Sequence, residues 1–264
     1  MNVFEQTYID LEPTMRDIVA KVRTVPANKR PGTAHIDQMG GLAQYAFYTA
    51  LVREWLPDVN AEILDWGGQH GQMTLFLSRY YPGTTCYVLE GDDYDRRYGL
   101  SQWHSSLGVT GVVRALDPNR IVIHRQFDAA ISSGVLEHVG ECGGDERRSL
   151  EELHRVLKPS GLLFIWNLPR QYGREFVYPL FGRKVHIRRY QKKEIIDLVQ
   201  RSGFEVLYIS THEILPLAVL KRLGAIVQLK ALLRWDHWFG EHLPWLTQNF
   251  TIVARRVEGS TLTR

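Results

Sequence analysis

The chain has 264 residues, with 32 basic against 29 acidic side chains and a formal charge of +3. So even a balance excludes the basic excess of a polyanion reader, and nucleic acid is not an expected partner. With 44% hydrophobic and 23% charged residues, the composition is that of a globular protein able to bury a full core.

To about Asn60 the chain reads as helices interrupted at Pro26 and at the Pro31–Gly32 turn signal; the second, from about Met39 to Trp55, carries Leu42, Tyr45, Tyr48 and Val52 on overlapping faces. The pattern then changes to alternating strand and helix. Glu62 to Trp66 is a short apolar strand ending in a glycine-rich turn, Met73 to Tyr80 has helical spacing, and Thr85 to Glu90 is a second strand. Helix follows from about Tyr94 to Leu107, then strands over Gly111 to Leu116 and Phe127 to Ser132. A helix from Arg147 to Leu157 stops at Lys158-Pro159-Ser160-Gly161, and Leu162 to Asn167 is the fifth strand.

A polar, aromatic insertion (Pro169 to Tyr190) precedes a helix from about Lys192 to Arg201 and a strand from Phe204 to Ser210. After an apolar and basic segment, Ile214 to Trp245, Asn249 to Arg256 forms a closing strand. Alternating strands and helices imply right-handed crossovers. The expected fold is α/β and Rossmann-like: a seven-stranded, mostly parallel sheet with an antiparallel edge strand, helices on both faces and an N-terminal helical cap.

The first strand ends in Asp65-Trp66-Gly67-Gly68-Gln69-His70-Gly71. Glycines at a strand-to-helix turn let the backbone bend tightly and approach a ligand, and the next helix supplies unpaired N–H groups. About 20 residues on, Glu90 stands at the tip of the next strand, where a carboxylate can accept from both ribose hydroxyls.

This turn and acid resemble the signature of class I S-adenosylmethionine-dependent methyltransferases. Phe127 to Ile131 with Gly134-Val135-Leu136-Glu137-His138-Val139 is similar to the family's fourth strand and the turn after it. Leu153 to Leu163 (L-H-R-V-L-K-P-S-G-L-L) is similar to its following helix, turn and fifth strand. The look is of small-molecule enzymes, of the quinone-biosynthesis or glycoconjugate-tailoring type. The resemblance covers about Glu62 to Phe204. Taken with the helical reading to about Asn60, it gives an expected helical cap over residues 1–60 and a methyltransferase domain over 61–264, with 169–190 and 213–247 as substrate-side insertions.

The resemblance also implies roles. Asp65, Gly67, Gly68 and Gly71 line the methionine end of the cofactor, Glu90 grips the ribose, and Gly91 and Asp92 pass beside the adenine. Asp117 is a candidate for the adenine amino group, although Asp-Pro-Asn equally suits a plain turn. Ser133 and Gly134 lie beneath the sulfonium. Gln69 stands where the family usually has glycine and His70 where a small hydroxylated residue is common, so crowding or strained torsions are expected there.

Methyl transfer from a sulfonium is an in-line displacement, and a hydroxyl acceptor benefits from a general base. His138, after the fourth strand, is the first candidate, with ordering of its own loop the rival role. His70 is a weaker one. His186, Arg188, Arg189 and Tyr190 are candidate substrate contacts, since a stretch of arginines and lysines there suits a phosphate or carboxylate handle; a solvated basic loop is the plainer reading. No metal is called for.

Segment 214–245 suits either packing on its own domain or peripheral contact with a membrane or lipid-like substrate. Lys221, Arg222 and Lys230 interrupt its apolar run, so it is not a span. The opening residues, Glu5, Asp10, Glu12 and Arg16 among apolar ones, read as no secretory leader. With two cysteines, Cys86 and Cys142, a reduced cytoplasmic protein is expected.

The leading expectation is therefore methyl transfer to a small-molecule acceptor, anionic or lipid-linked in the sharpest version, at oxygen. Ser132-Ser133-Gly134-Val135 replaces the N-P-P-Y-like tetrapeptide of the family's nucleic-acid and amide enzymes. A non-catalytic binding protein on the same fold and a nicotinamide oxidoreductase are the alternatives, the latter lacking a clean G-x-G-x-x-G.

Overall fold

The computed structural model describes residues 2–25, 36–89, 99–173, 186–213 and 229–258. Helix α1 (Val3–Thr24) is capped by Asn2, whose side chain accepts from the Glu5 N–H at 2.8 Å. It buries Leu11, Met15, Ile18 and Val22, spaced three and four apart along one face. Helix α2 (Met39–Trp55) is buried on most of its surface, because it lies between α1 and the sheet.

Next come β1 (Ile63–Trp66), α3 (Gln72–Ser78), β2 (Thr85–Val88), α4 (Leu100–Leu107), β3 (Val112–Arg114) and β4 (Phe127–Ser133). They are followed by α5 (Glu146–Val156), β5 (Leu157–Pro169), α6 (Lys192–Arg201), β6 (Phe204–His212), α7 (Leu229–His242) and β7 (Asn249–Arg256). The sheet order is β3-β2-β1-β4-β5-β7-β6. The first five strands pair in parallel, and β7 runs antiparallel to both β5 and β6.

Alternation along each strand divides the core in two. Ile63, Ala129, Ile131, Phe164, Trp166 and Val253 face the layer of α1 to α4. Leu64, Trp66, Ala130, Leu163, Ile165 and Ile252 face α5 and α6, packing on Leu150, Leu153, Ile195 and Val199. Strands covered on both faces are largely apolar, and every residue of β1 and β2 is buried, Asp65 and Thr85 among them.

One expectation is adjusted. Strand β5 begins at Leu157 rather than Leu162, because Lys158 to Gly161 stays within the pairing as an irregularity, with Ser160 at φ +59°. Segment 229–242 packs on its own domain: Leu233 and Asp236 are buried, Arg234 pairs with Glu5 at 3.1 Å, and Phe47 meets His237. Trp235 and Trp238 remain outside, 67% and 51% exposed. No described helix is long and apolar enough to cross a membrane.

Candidate active site

Strand order reverses between β1 and β4, and a crevice opens at the carboxyl ends of the strands at such a switch point. Here it is a cleft of about 680 Å³ lined by Asp65, Gly67, Gly68 and Gln69 from the first turn. Ser133, Gly134, Val135, Glu137 and His138 line it from the end of β4, and Asn167 from β5. A larger hollow of about 910 Å³ lies between α1, α2 and α7, lined by Phe47, Trp235 and Trp238. No strand tip reaches it, so the chemistry belongs to the smaller cleft.

The glycine turn is held from behind. The N–H groups of Gly67 and Gly68 both donate to the Tyr87 carbonyl, at 2.7 and 3.1 Å, and Gly71 N–H donates to the Gly68 carbonyl at 2.6 Å. Gly67 has φ +79° and packs so closely on Val135 that a Cβ would collide with it. Gly71, at φ +77°, starts α3.

Asp65 is buried, and its Oδ2 accepts from the Thr74 hydroxyl at 2.6 Å. Burial pushes its carboxyl up to about 6, against the pull of that hydrogen bond. Beside it the Tyr45 hydroxyl of α2 approaches Gln72 and Ser133. Neither Ser133 Oγ nor Gln72 Oε1 closes a hydrogen bond among the described residues. Burial raises the Tyr45 phenol to about 12.

After β4 a tight turn spans Leu136–His138. Glu137 is buried and lifted to about 8, burial outweighing its own backbone hydrogen bond and the nearby His186. His138 is half exposed, and its Nδ1 lies 3.2 Å from Glu141 Oε2. His212, under the far end of the cleft, is buried and driven down to about 3 by desolvation, with His237 adding to the effect. It is therefore a neutral packing residue, bonded to Asn167 and Thr251.

Of the residues expected from sequence, Asp65, Gly67, Gly68, Ser133, Gly134, His138 and His186 meet in this cleft. Gly71 stands just behind it. Glu90, Gly91 and Asp92 lie outside the described residues, and Leu89, at the end of β2, reaches the rim. Four other candidates are not among its lining residues. Asp117 Oδ1 accepts from the Asn119 N–H at 2.8 Å, so the turn role holds while its neighbours Leu116 and Pro118 line the cleft. Arg188 is taken up by Glu146, at 2.6 and 3.0 Å, and by Glu194. Tyr190 packs in the core beneath that guanidinium, and Arg189 does not reach the cleft. His70 turns wholly inward and does not crowd the cleft, whereas Gln69 lines it at φ +28°.

Sequence reasoning missed Gln44 and Tyr45 of α2, Gln72, Glu137, Asn167, Glu213, Gln248 and Asn249. Glu137 sits in the V-L-E-H-V phrase, next to the histidine that was singled out, so a signal for it was present.

The arrangement is that of an α/β protein with a cleft over a glycine turn at the switch point of its sheet. A family model described as a methyltransferase domain matches residues 37–209, well over half of the sequence, and the chain belongs to that family. It is a class I S-adenosylmethionine-dependent methyltransferase domain, and S-adenosylmethionine is its cofactor. A comparison with curated proteins finds no match.

Among solved structures it is similar to a putative sarcosine dimethylglycine methyltransferase from Galdieria sulphuraria (16% identity, TM-score 0.54, covering 82% of this chain and 87% of that one). It is also similar to the [4+2]-cyclase SpnF (19%, 0.56, 96% and 95%). A third is a possible histamine N-methyltransferase from Thermotoga maritima (15%, 0.53, 81% and 88%). At these identities the likeness concerns the fold, and SpnF is a reminder that one fold hosts more than one reaction.

The residues present fit the cofactor. Asp65 is a buried carboxylate with a hydroxyl but no basic side chain paired to it among the described residues, which suits an ammonium group. Ser133 Oγ and Gln72 Oε1 are buried polar atoms lining the same cleft, close to the Tyr45 hydroxyl and with no hydrogen bond closed among the described residues.

Proposed function

We propose that the chain methylates a hydroxyl of a small, uncharged polar molecule. The observation that carries this reading is the His138–Glu141 pair on the cleft wall: a carboxylate 3.2 Å from Nδ1 orients the imidazole and leaves its Nε2 to take a proton. When bound, S-adenosylmethionine would supply an electrophilic methyl on a sulfonium, with sulfur as the leaving atom. Asp65 holds the amino-acid end of the cofactor, Ser133 and Gly134 form the floor, and Tyr45 with Gln44 closes the cleft from α2. Positioning in so confined a space supplies much of the acceleration.

The size of the cleft suits a small molecule beside the cofactor. Its described lining carries Asp65, Glu137 and Glu213 and no lysine or arginine, which supports an uncharged acceptor over an anionic one. The same acidic lining favours a second reading, an amine acceptor.

A methylation screen over phenols, sugars, lipids and amines, run with the wild type and His138→Gln, tests both. A base role predicts a loss of ~10²-fold or more in kcat on a hydroxyl acceptor with cofactor affinity unchanged. Cofactor binding without turnover on any acceptor would instead support the non-catalytic alternative.

A further inference from the structure

Glu137 and His138 come from the turn after β4 and His186 from the segment before α6, yet each offers one donor atom to a common point, the three atoms lying within 4.8 Å of one another. His138 Nε2 stands 4.0 Å from Glu137 Oε1, and the two imidazole centroids are 5.9 Å apart. Glu137 is only 4% exposed, and its Oε2 is buried with no hydrogen-bond partner among the described residues. A buried carboxylate oxygen left without a donor is costly unless a cation or proton occupies the place beside it.

The surroundings are those of a ligand set. Glu141 faces the other nitrogen of His138 at 3.2 Å, and a carboxylate in that position fixes the tautomer and ring orientation of a metal-binding histidine. All three candidate ligands line the same cleft as Asp65 and Ser133.

We propose that Glu137, His138 and His186 bind a divalent transition-metal ion and leave a coordination position open to the cleft. Two imidazoles and one carboxylate suit zinc, cobalt or manganese better than magnesium or calcium, which prefer all-oxygen shells. With metal–ligand distances of roughly 2.1 Å, neighbouring donors stand about 3–3.5 Å apart, so the three side chains draw in by about 1 Å around the ion. An open position would make the ion a Lewis acid for an acceptor oxygen, lowering the pKa of a bound hydroxyl so that its proton passes to water in the cleft. The inference rests on the preceding reading for the acceptor's place, and it recasts His138 as a ligand instead of a proton acceptor. It also replaces the sequence expectation of a metal-free site.

The test is titration of Co²⁺ and of Zn²⁺ into the metal-stripped full chain, followed by calorimetry and, for cobalt, by visible absorption. One ion per chain is expected, with a cobalt spectrum of mixed imidazole and carboxylate ligation. His186→Ala and Glu137→Gln should each weaken affinity at least tenfold, while S-adenosylmethionine binding, measured on the same samples, confirms that both variants are folded. The exposed His124→Ala control should match the wild type. No stoichiometric binding, or binding that survives the double variant His186→Ala/Glu137→Gln, overturns the site. Methyl transfer that persists undiminished in a chain shown to bind no ion sinks the metal and keeps the proposed function; an ion bound tightly with no acceptor methylated does the reverse.

Discussion

Thr74 on α3 gives its hydroxyl proton to Asp65 Oδ2 at the tip of β1 across 2.6 Å, and both side chains are buried. In the proposed reading, the bond holds the carboxylate at the end of the cleft that would receive the cofactor's ammonium. Hydrogen bonds to charged groups contribute about 1.5–3 kcal/mol. Thr74→Val should therefore weaken S-adenosylmethionine binding roughly tenfold, and Asp65→Asn by more, both read by calorimetry at pH 7.5. An Asp65→Asn variant that binds the cofactor like the wild type would remove Asp65 from the site.

The two raised carboxyls set a pH dependence whose sign is unusual for acids. Asp65 titrates near 6 in the fold against an ordinary 3.8, and Glu137 near 8 against 4.5. Between those limits the folded chain holds more protons than the unfolded one, so stability falls as pH rises from about 4 to about 8. Below about pH 3 both groups are protonated in either state and their contribution is level. Urea unfolding of the metal- and cofactor-free chain at pH 5 and pH 8 should show the drop, and Glu137→Gln should flatten its upper part. Cofactor affinity should move the other way, rising as Asp65 ionises through about pH 6.

Gln69 occupies φ +28° in the glycine turn, a region that costs a side-chain-bearing residue about 1 kcal/mol or more. Its carbonyl lies 2.6 Å from His104 Nε2, an interaction that glycine would keep. Gln69→Gly is expected to raise Tm slightly, by about 2 °C, because the entropy of an added glycine offsets part of the relief. Cofactor affinity should hold or improve. A fall in both quantities would mean that the Gln69 side chain supports the turn.

Gly240 places α7 hard against β6. A Cβ there would run into the Thr211 carbonyl, while the Thr211 hydroxyl bonds the Gly240 carbonyl at 2.7 Å. Gly240→Ala should cost about 1–3 kcal/mol and several degrees of Tm, detached from any change in cofactor affinity. An unchanged melting curve would show that α7 is free to shift on the sheet.

Legibility in the sequence followed locality. Strands β1, β2, β4 and β5 stood out as apolar runs between turn signals, and the Gly67–Gly71 turn declared itself because its geometry depends on adjacent residues. Tyr45 did not: its place on α2 was readable, but where that helix docks is decided by contacts with the sheet. Glu213 and Asn249 reach the cleft only because β7 inserts between β5 and β6, a pairing that joins residues far apart in the chain. Arg188 looked free to read an anion because its partner Glu146 is 42 residues away. Asp117 followed the ordinary chemistry of an Asp-Pro-Asn turn.

The interior position of β7 has a bearing on synthesis at the ribosome. Until Asn249–Arg256 has emerged, β5 offers one bare border and β6 has no strand to join, so the half-made sheet presents unsatisfied amides to any passing chain. A polypeptide truncated just before residue 249 should therefore recruit holdase chaperones, and be prone to aggregate without them, because it lacks the eight residues of β7 that fill the gap.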